Sequence, residues 1–517
     1  MRSLLALTIL GFVVLLSSCR NDFETVPNTG QLEFSRDTVF LDTVFTNIGS
    51  STYNLKVYNR GDEDINIPTV RLGQGESSLY RLNVDGIPGK TFEDIVIRAK
   101  DSIFVFVETT IDIAEFSATA TQFLYTDQIE FDSGGNQQDV ELVTLVQDAV
   151  FLFPERDADG VVETLNLGTD ADGEPILIEG FILEDEELTF TNEKPYVIYG
   201  YAAVNAGDVL TVNPGARVHF HANSGILVAN TASMIVNGAP SSDPVALENE
   251  VIFEGDRLEP SFSDVPGQWG AIWLTQGSTG HTFTNTTIKN ATVGILMDSN
   301  DGSSSPTLNL NNVQIYNSSN VGLLARTGFV DGQNVVINNA GQSALALTFG
   351  GRYNFRHCTF VNYWNDSFRS FPAVQLDNIF VVSETEIQTT DLIEANFNNC
   401  IIYGNENIEL GLLGSDEAAF NFSFTNTLLR FNDTQGVFDE NPLYDFSNTA
   451  RYNNLVVNED PLFKAPFENE LNIPDESGAN GLDTSGTPIV PFDILNVART
   501  APFDAGAYAC AVIPDDD

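Results

Sequence analysis

Carboxylates, a guanidinium and aromatic rings recur in this chain at positions suited to facing a ligand. Asp298, Arg326 and Asp377 each directly follow an apolar triplet: Ile295-Leu-Met297, Leu323-Leu-Ala325 and Val374-Gln-Leu376. Side chains of common phase line up as a row when their strands stack. Paired carboxylates on such a row can hydrolyse glycosides if they stand roughly 5 to 10 Å apart. At ~4.8 Å per rung, Asp298 and Asp377 are three rungs or about 14 Å apart. Arg326 is one rung from Asp298, where a surface ion pair contributes about 0 to 1 kcal/mol. The row supplies the candidate catalytic residues Asp298, Arg326 and Asp377, but its plainer reading is an ion pair on a solvated face.

Three further groups could hold a ligand. The tetrapeptide Asp157-Ala-Asp-Gly160 returns as Asp170-Ala-Asp-Gly173. Alternate carboxylates closed by glycine suit Ca²⁺, which takes six to eight oxygens, so Asp157, Asp159, Asp170 and Asp172 are candidate calcium ligands. The competing reading is two strand-joining turns, where Asp-Gly supplies the positive φ angles. No cofactor other than Ca²⁺ is expected. His219 and His221 share one face of a strand, as two metal ligands would, but without a third ligand nearby the plainer reading is solvent-facing histidine. The loop Tyr363-Trp-Asn-Asp-Ser-Phe-Arg-Ser-Phe371 is rich in aromatics, and the outward row Trp273, Leu296, Leu324 and Ala346 is unusually apolar. Tyr363, Trp364 and Trp273 are the candidate ligand-binding residues, because a flat ring beside an amide matches the apolar face and hydroxyl edge of a sugar. The alternative is a loop whose rings pack back on the protein.

A repeat must position these residues. Phe283-Thr-Asn285-Thr-Thr-Ile288, Leu310-Asn-Asn312-Val-Gln-Ile315, Gly332-Gln-Asn334-Val-Val-Ile337, Phe355-Arg-His357-Cys-Thr-Phe360, Phe397-Asn-Asn399-Cys-Ile-Ile402 and Phe424-Thr-Asn426-Thr-Leu-Leu429 share one template, its third positions 27, 22, 23, 42 and 27 residues apart. Between them runs a second ladder: Ile272-Trp-Leu274, Ile295-Leu-Met297, Leu323-Leu-Ala325, Leu345-Ala-Leu347, Val374-Gln-Leu376 and Ile408-Glu-Leu410. Two phased apolar ladders are coils of a solenoid, with alternate residues stacked inward and Asn in the left-handed angles of a tight bend. The pattern predicts a right-handed parallel β-helix with three strands per coil. Cys358 and Cys400 fall at matching positions, which predicts stacked buried thiols.

The first residues carry an address. Arg2 and the apolar run Leu4 to Leu16 are a secretory signal, too short for a membrane span. Leu16-Ser17-Ser18-Cys19 resembles the lipobox of bacterial lipoproteins, which implies that residues 1–18 are removed and that Cys19 carries acyl chains anchoring the protein in a membrane. With 23 Lys+Arg against 72 Asp+Glu the net charge is -49, which argues against nucleic acid as a partner.

Residues 31–148 alternate with period two, as in Ser102-Ile-Phe-Val-Phe-Val-Glu108, and predict an antiparallel β-sandwich. Asn47-Ile-Gly-Ser-Ser-Thr-Tyr-Asn-Leu-Lys-Val-Tyr-Asn-Arg-Gly-Asp62 resembles the start of the immunoglobulin-like modules of bacterial surface proteins. Further on, Lys194-Pro-Tyr-Val-Ile-Tyr-Gly-Tyr201, Leu210-Thr-Val-Asn-Pro-Gly-Ala-Arg-Val-His-Phe-His221 and Gly267-Gln-Trp-Gly-Ala-Ile-Trp-Leu274 resemble the opening coils of right-handed β-helix lipoproteins of Bacteroidetes-type bacteria. Asp460-Pro-Leu-Phe463 and Phe503-Asp-Ala-Gly-Ala-Tyr508 are similar to the closing segment of β-helix repeat proteins. The expected order is a tether over 19–30, the sandwich over 31–148, an acidic connector over 149–194, the β-helix over 195–470 and a closing segment over 471–517. The resemblance implies an outer-membrane, surface-exposed lipoprotein. The leading functional reading is a non-catalytic binding or scaffold face for polysaccharide or a surface protein. The alternatives are a polysaccharide lyase or glycoside hydrolase on the outer face of the helix, with Asp298, Arg326 and Asp377 in the catalytic roles, and a passive structural surface protein.

Overall fold

The computed structural model describes residues 25–512, apart from 118, 171, 384 and 385. The expected signal segment and Cys19 lie outside the described residues. The chain divides into two units, Met1–Asp148 and Ala149–Asp517, and is almost entirely β, its only helical pieces being three-residue 3₁₀ turns among the described residues.

In the first unit, strands of alternating sequence build two sheets. One runs in the order Val26–Pro27, Ile65–Leu72, Gln122–Phe131, Gln138–Gln147, Thr38–Phe45, with Thr91–Ile97 also paired to Ile65–Leu72. The other runs Glu33–Phe34, Tyr53–Tyr58, Ser102–Thr109, Tyr80–Val84, Ile87–Gly89. In Ser102–Thr109 the odd positions Ile103, Val105 and Val107 are buried while Phe104 and Phe106 stay out, as the strand period requires. The inward faces form one core, and the Tyr80 hydroxyl bridges the sheets by donating to the Tyr125 carbonyl (3.1 Å) while lying 3.0 Å from Thr144 Oγ1, whose hydroxyl can donate to it. Pairing is not wholly antiparallel: Thr38–Phe45 runs parallel to Gln138–Gln147, and Val26–Pro27 parallel to Ile65–Leu72. These partners are distant in sequence, so no hairpin dictates their direction.

The second unit is a solenoid of parallel pairings. The strands of the coils bond to the strand of the same phase one coil later, as in Tyr196–Ile198, Arg217–Phe220 and Val251–Gly255, while Thr164–Thr169 with Pro175–Ile182, and Ile379–Ser383 with Glu386–Thr389, pair antiparallel. Inward residues from successive coils form a continuous core from Leu152 to Tyr452. The apolar triplets stack in register from Ile226 through Ile272, Ile295, Leu323, Leu345 and Val374. The small residues ahead of them are required by close packing: a Cβ on Gly322 would lie 2.3 Å from an Ile337 methyl and 2.6 Å from the Ala344 carbonyl.

Every bend residue of the template has positive φ: Asn285, Asn312, Asn334, His357, Asn399, Asn426, and a seventh, Asn454, that the sequence template omitted. Asn tolerates this region because its short amide bonds locally, which a bulkier side chain does not. The amides also bond along the ladder, Asn312 to Asn285 (3.1 Å), Asn334 to Asn312 (2.9 Å), Asn426 to Asn399 (3.1 Å) and Asn454 to Asn426 (2.9 Å).

Several boundaries differ from the sequence reading. Residues 149–194 are not a connector. Val150–Leu152, Pro175–Ile182 and Thr189–Phe190 pair in parallel with the next coil and form the first turn of the solenoid. The sixth triplet is Leu410-Gly-Leu412 rather than Ile408-Glu-Leu410, since Val374 pairs with Leu410 and Leu376 with Leu412. A slip of two residues preserves the in-out alternation, so hydrophobicity alone does not distinguish the registers. The last rung is Tyr452–Val457. Beyond it the chain turns back along the outside of the solenoid and buries Tyr316, Val336, Val361, Ile401 and Leu428 under Leu471, Ile473, Ala505 and Tyr508.

Candidate functional site

The row predicted to face outward stacks in register, with Trp273, Leu296 and Leu324 half buried and Ala346 covered. Trp273, Leu296, Leu324 and Ala346 occupy successive rungs, with Asp298, Arg326, Thr348 and Asp377 in the following positions. Asp298 is engaged on both oxygens. Arg326 Nη1 donates to Oδ1 at 3.2 Å, and the Trp273 indole N–H donates to Oδ2 at 2.5 Å. Arg326 is half exposed, so this ion pair sits at a wet surface, where screening leaves it little net stability. Asp377 is not on the solvated face. It is 5% exposed, accepts the Phe349 N–H (2.8 Å) and the Gln375 amide (3.2 Å), and braces Phe349 at φ 57°. Burial pushes its carboxyl up, and these donors oppose the shift. Asp298 and Asp377 remain three rungs apart, so the row does not bring together two carboxylates for acid–base work.

The aromatic loop is anchored from below. Arg369 and Glu409, side chains 1% and 0% exposed, form a bidentate ion pair at 2.7 and 2.9 Å. The guanidinium also donates to the carbonyls of Phe371 (2.6 Å) and Asn362 (3.0 Å) and to Asn405 Oδ1 (2.7 Å). Glu409 accepts the N–H groups of Ala373 and Glu406, both at 2.8 Å. This pair explains the shifted sixth rung: Glu409 is drawn into the loop's foundation. Sequence reasoning missed it, and the only available signal was an arginine inside an otherwise aromatic and polar loop. Trp364 packs back, buried, with its indole N–H on Ser367 Oγ (3.0 Å). Tyr363 meets Phe463 and Phe467 edge-on at 6.1 and 5.5 Å. Phe368, 90% exposed, and Phe371, 43%, are the rings that reach solvent. Of the three candidate aromatics only Trp273 remains on the outward row.

The calcium candidates are turns. Asp157 Oδ1 accepts the N–H groups of Asp159 and Val161, and Asp170 Oδ1 accepts those of Asp172 and Glu174, all at 2.9 Å. Asp157 and Asp170 each therefore spend an oxygen on their own turn, and among the described residues no group of three or more His, Cys, Asp or Glu is arranged to hold a metal ion. Of the two histidines only His219 departs from the solvent-facing reading, since His221 is half exposed. His219 is buried against the Gly255 carbonyl (3.2 Å) and Glu254 (3.7 Å), while His221 pairs with Asp256 (2.7 Å) and stacks on Tyr199. Burial holds His219 below the usual histidine range, opposed by Glu254. Cys358 and Cys400 are buried free thiols on neighbouring rungs, and burial pushes Cys400 far up.

Two more histidines carry an acid response. Burial lowers His281 to about 4, and burial together with the nearby Arg499 lowers His357 to about 3. His281 is held neutral by accepting the Met234 N–H at Nδ1 and facing Ser278 Oγ with Nε2. Below the unfolded value of about 6.5 the unfolded chain takes up protons that the folded chain refuses. Stability is therefore complete above pH 6.5 and falls as the pH drops toward 4. For His357 alone the loss at pH 5 is about 2 kcal/mol. His357→Asn, which completes the amide ladder at a φ of 51° that Asn accepts, is expected to remove that share. Urea unfolding of both proteins at pH 5 and pH 7.5 checks this, and an undiminished pH difference in the variant would refute it.

No family model and no curated protein matches this chain. Solved structures match it weakly. The family 123 glycoside hydrolase from Clostridium perfringens, described for glycolipid glycan hydrolysis, is 11% identical, covering 22% of this chain and 26% of its own, with a TM-score of 0.16. The periplasmic chaperone SfaE is 11% identical over 23% of this chain and 57% of its own, with a TM-score of 0.15. The ASH/PapD-like domain of human CEP192 is 14% identical over 26% of this chain and 94% of its own, with a TM-score of 0.15. Similarity this low carries no argument about fold or activity.

Proposed function

We propose that this chain is a surface lipoprotein held at the outer membrane through Cys19, with a right-handed parallel β-helix that presents a non-catalytic binding or scaffold face to a glycan or a surface protein. In this reading it belongs with the β-helix lipoproteins of Bacteroidetes-type bacteria, and the first unit is an immunoglobulin-like module. The observation that supports a binding role over a catalytic one is the state of the outward row. Asp298 is tied to Arg326 and Trp273, Asp377 is buried on a backbone N–H, and half-buried apolar residues Trp273, Leu296 and Leu324 lie beside them. A general acid or base needs a free, tuned group within reach of the scissile bond, whereas a binding face needs apolar area rimmed by polar groups.

The test is size-exclusion chromatography of a polysaccharide panel incubated with the lipid-free protein beginning at Arg20. Intact chains that co-elute with the protein, and co-elute in smaller amount with Trp273→Ala, are the expected result. Shortened chains would overturn it and favour the lyase or hydrolase reading, in which Asp298→Ala abolishes the activity. In cells, Cys19→Ser is expected to move the protein from the membrane fraction to the soluble fraction.

A further inference from the structure

The outer face of the second sheet of the first unit breaks the rule that a solvated sheet face is polar. Phe104 and Phe106 project from it at 44% and 38% exposure, their rings 6.0 Å apart and nearly parallel at 15°. Residues two apart on a strand share a face, so the two rings form one continuous apolar strip. Amides flank it, because Asn54 and Asn83 are the cross-strand partners of Phe106 on either side. Lys56, the cross-strand partner of Phe104, holds its ammonium 5.2 Å from that ring and 5.3 Å from the Tyr58 ring.

We propose that this face is a binding site for a neutral polysaccharide. The apolar faces of successive sugar rings lie on Phe104 and Phe106, and their hydroxyl edges bond to Asn54, Asn83 and Lys56. Stacked rings with amides at both sides match a pyranose, which is apolar on its faces and hydroxylated at its rim. Charge selects the class. A chain of net charge -49 repels a polyuronate at long range, and one ammonium beside the strip does not neutralise a charge on every residue of such a polymer. The site extends the surface-binding reading to the first unit and does not depend on the solenoid face.

The test is affinity electrophoresis of the intact chain in native gels containing hydroxyethyl cellulose, galactomannan, arabinoxylan or polygalacturonate. At least one neutral polymer is expected to retard the wild type. Phe104→Ser with Phe106→Ser is expected to bind at least tenfold more weakly at an unchanged melting temperature. The proposal is overturned if no neutral polymer retards the protein, if the double variant is retarded like the wild type, or if polygalacturonate binds more tightly than every neutral polymer. Binding lost only in Trp273→Ala would also overturn it, while favouring the solenoid face. Should the double variant fail to fold, acylation of Lys56 in the wild type decides: protection by the retarding polymer supports the site, and equal labelling overturns it.

Discussion

Removing residues 459–517 is expected to leave a chain that no longer accumulates as a soluble folded protein. That segment covers an outward stripe of the solenoid made of Val336, Val361, Ile401 and Leu428, all buried beneath it. At about 1.5 to 3 kcal/mol for each large aliphatic side chain returned to water, four of them cost about 6 to 12 kcal/mol, comparable with the whole stability of a typical domain. Polar contacts are lost as well. Arg499 Nη2 donates to Asn334 Oδ1 (3.0 Å). Asn338 donates to the Pro466 carbonyl (2.8 Å), and Asn399 donates to Asp483 Oδ2 (2.9 Å). The segment is thus bonded to the amide-rich bends as well as packed on the apolar stripe. Soluble yield and sedimentation of the truncated chain measure the effect. A monomeric protein with the wild-type melting temperature would show that the stripe tolerates water.

Breaking the pair under the aromatic loop should have the next largest effect. Arg369→Ala or Glu409→Ala leaves a buried charge without its partner, and each is expected to cost about 3 to 5 kcal/mol. Neither side chain reaches water, so solvent does not screen the loss. Glu409→Ala also orphans the N–H groups of Ala373 and Glu406, and Arg369→Ala the carbonyls of Phe371 and Asn362. Removing both charges with Arg369→Met and Glu409→Leu should recover part of the loss, but not all of it, because the backbone groups stay unpaired. Urea unfolding gives the stability change, and limited proteolysis between Tyr363 and Phe371 reports whether the loop opens first. A cost below about 1 kcal/mol for either single variant would mean the pair behaves as an exposed one. By contrast, Arg326→Ala breaks an ion pair that is already wet.

These two sites mark where the sequence was readable and where it was not. The coil template could be read because each rung repeats a local requirement: an inward apolar residue, a bend in positive φ, and a small residue where two backbones meet. Asn285, Asn312, Asn334, Asn399 and Asn426 carry their reason in their own backbone angles. His357 keeps the same bend at φ 51° but brings a titratable ring into it, which the spacing alone could not reveal. The candidate site was legible only as a row. Its phase placed Asp298 beside Arg326, a matter of strand period and rung spacing. Which members of the row were free to act depended on neighbours dozens of residues away, such as Phe349 above Asp377 and Trp273 beside Asp298.

By itself the sequence determined the β content, the two phased ladders, their bends and the alternation of inward and outward positions, since all of these follow from backbone periods of a few residues. Only the tertiary structure decided which outward positions meet water. An outward valine such as Val336 reads the same whether solvent or a segment more than a hundred residues later covers it. An outward phenylalanine such as Phe104 reads the same as the buried rings of the core. Register within two residues, the burial of Trp364 and the pairing of Arg369 with Glu409 were settled in the same way, by contacts between residues far apart in the chain.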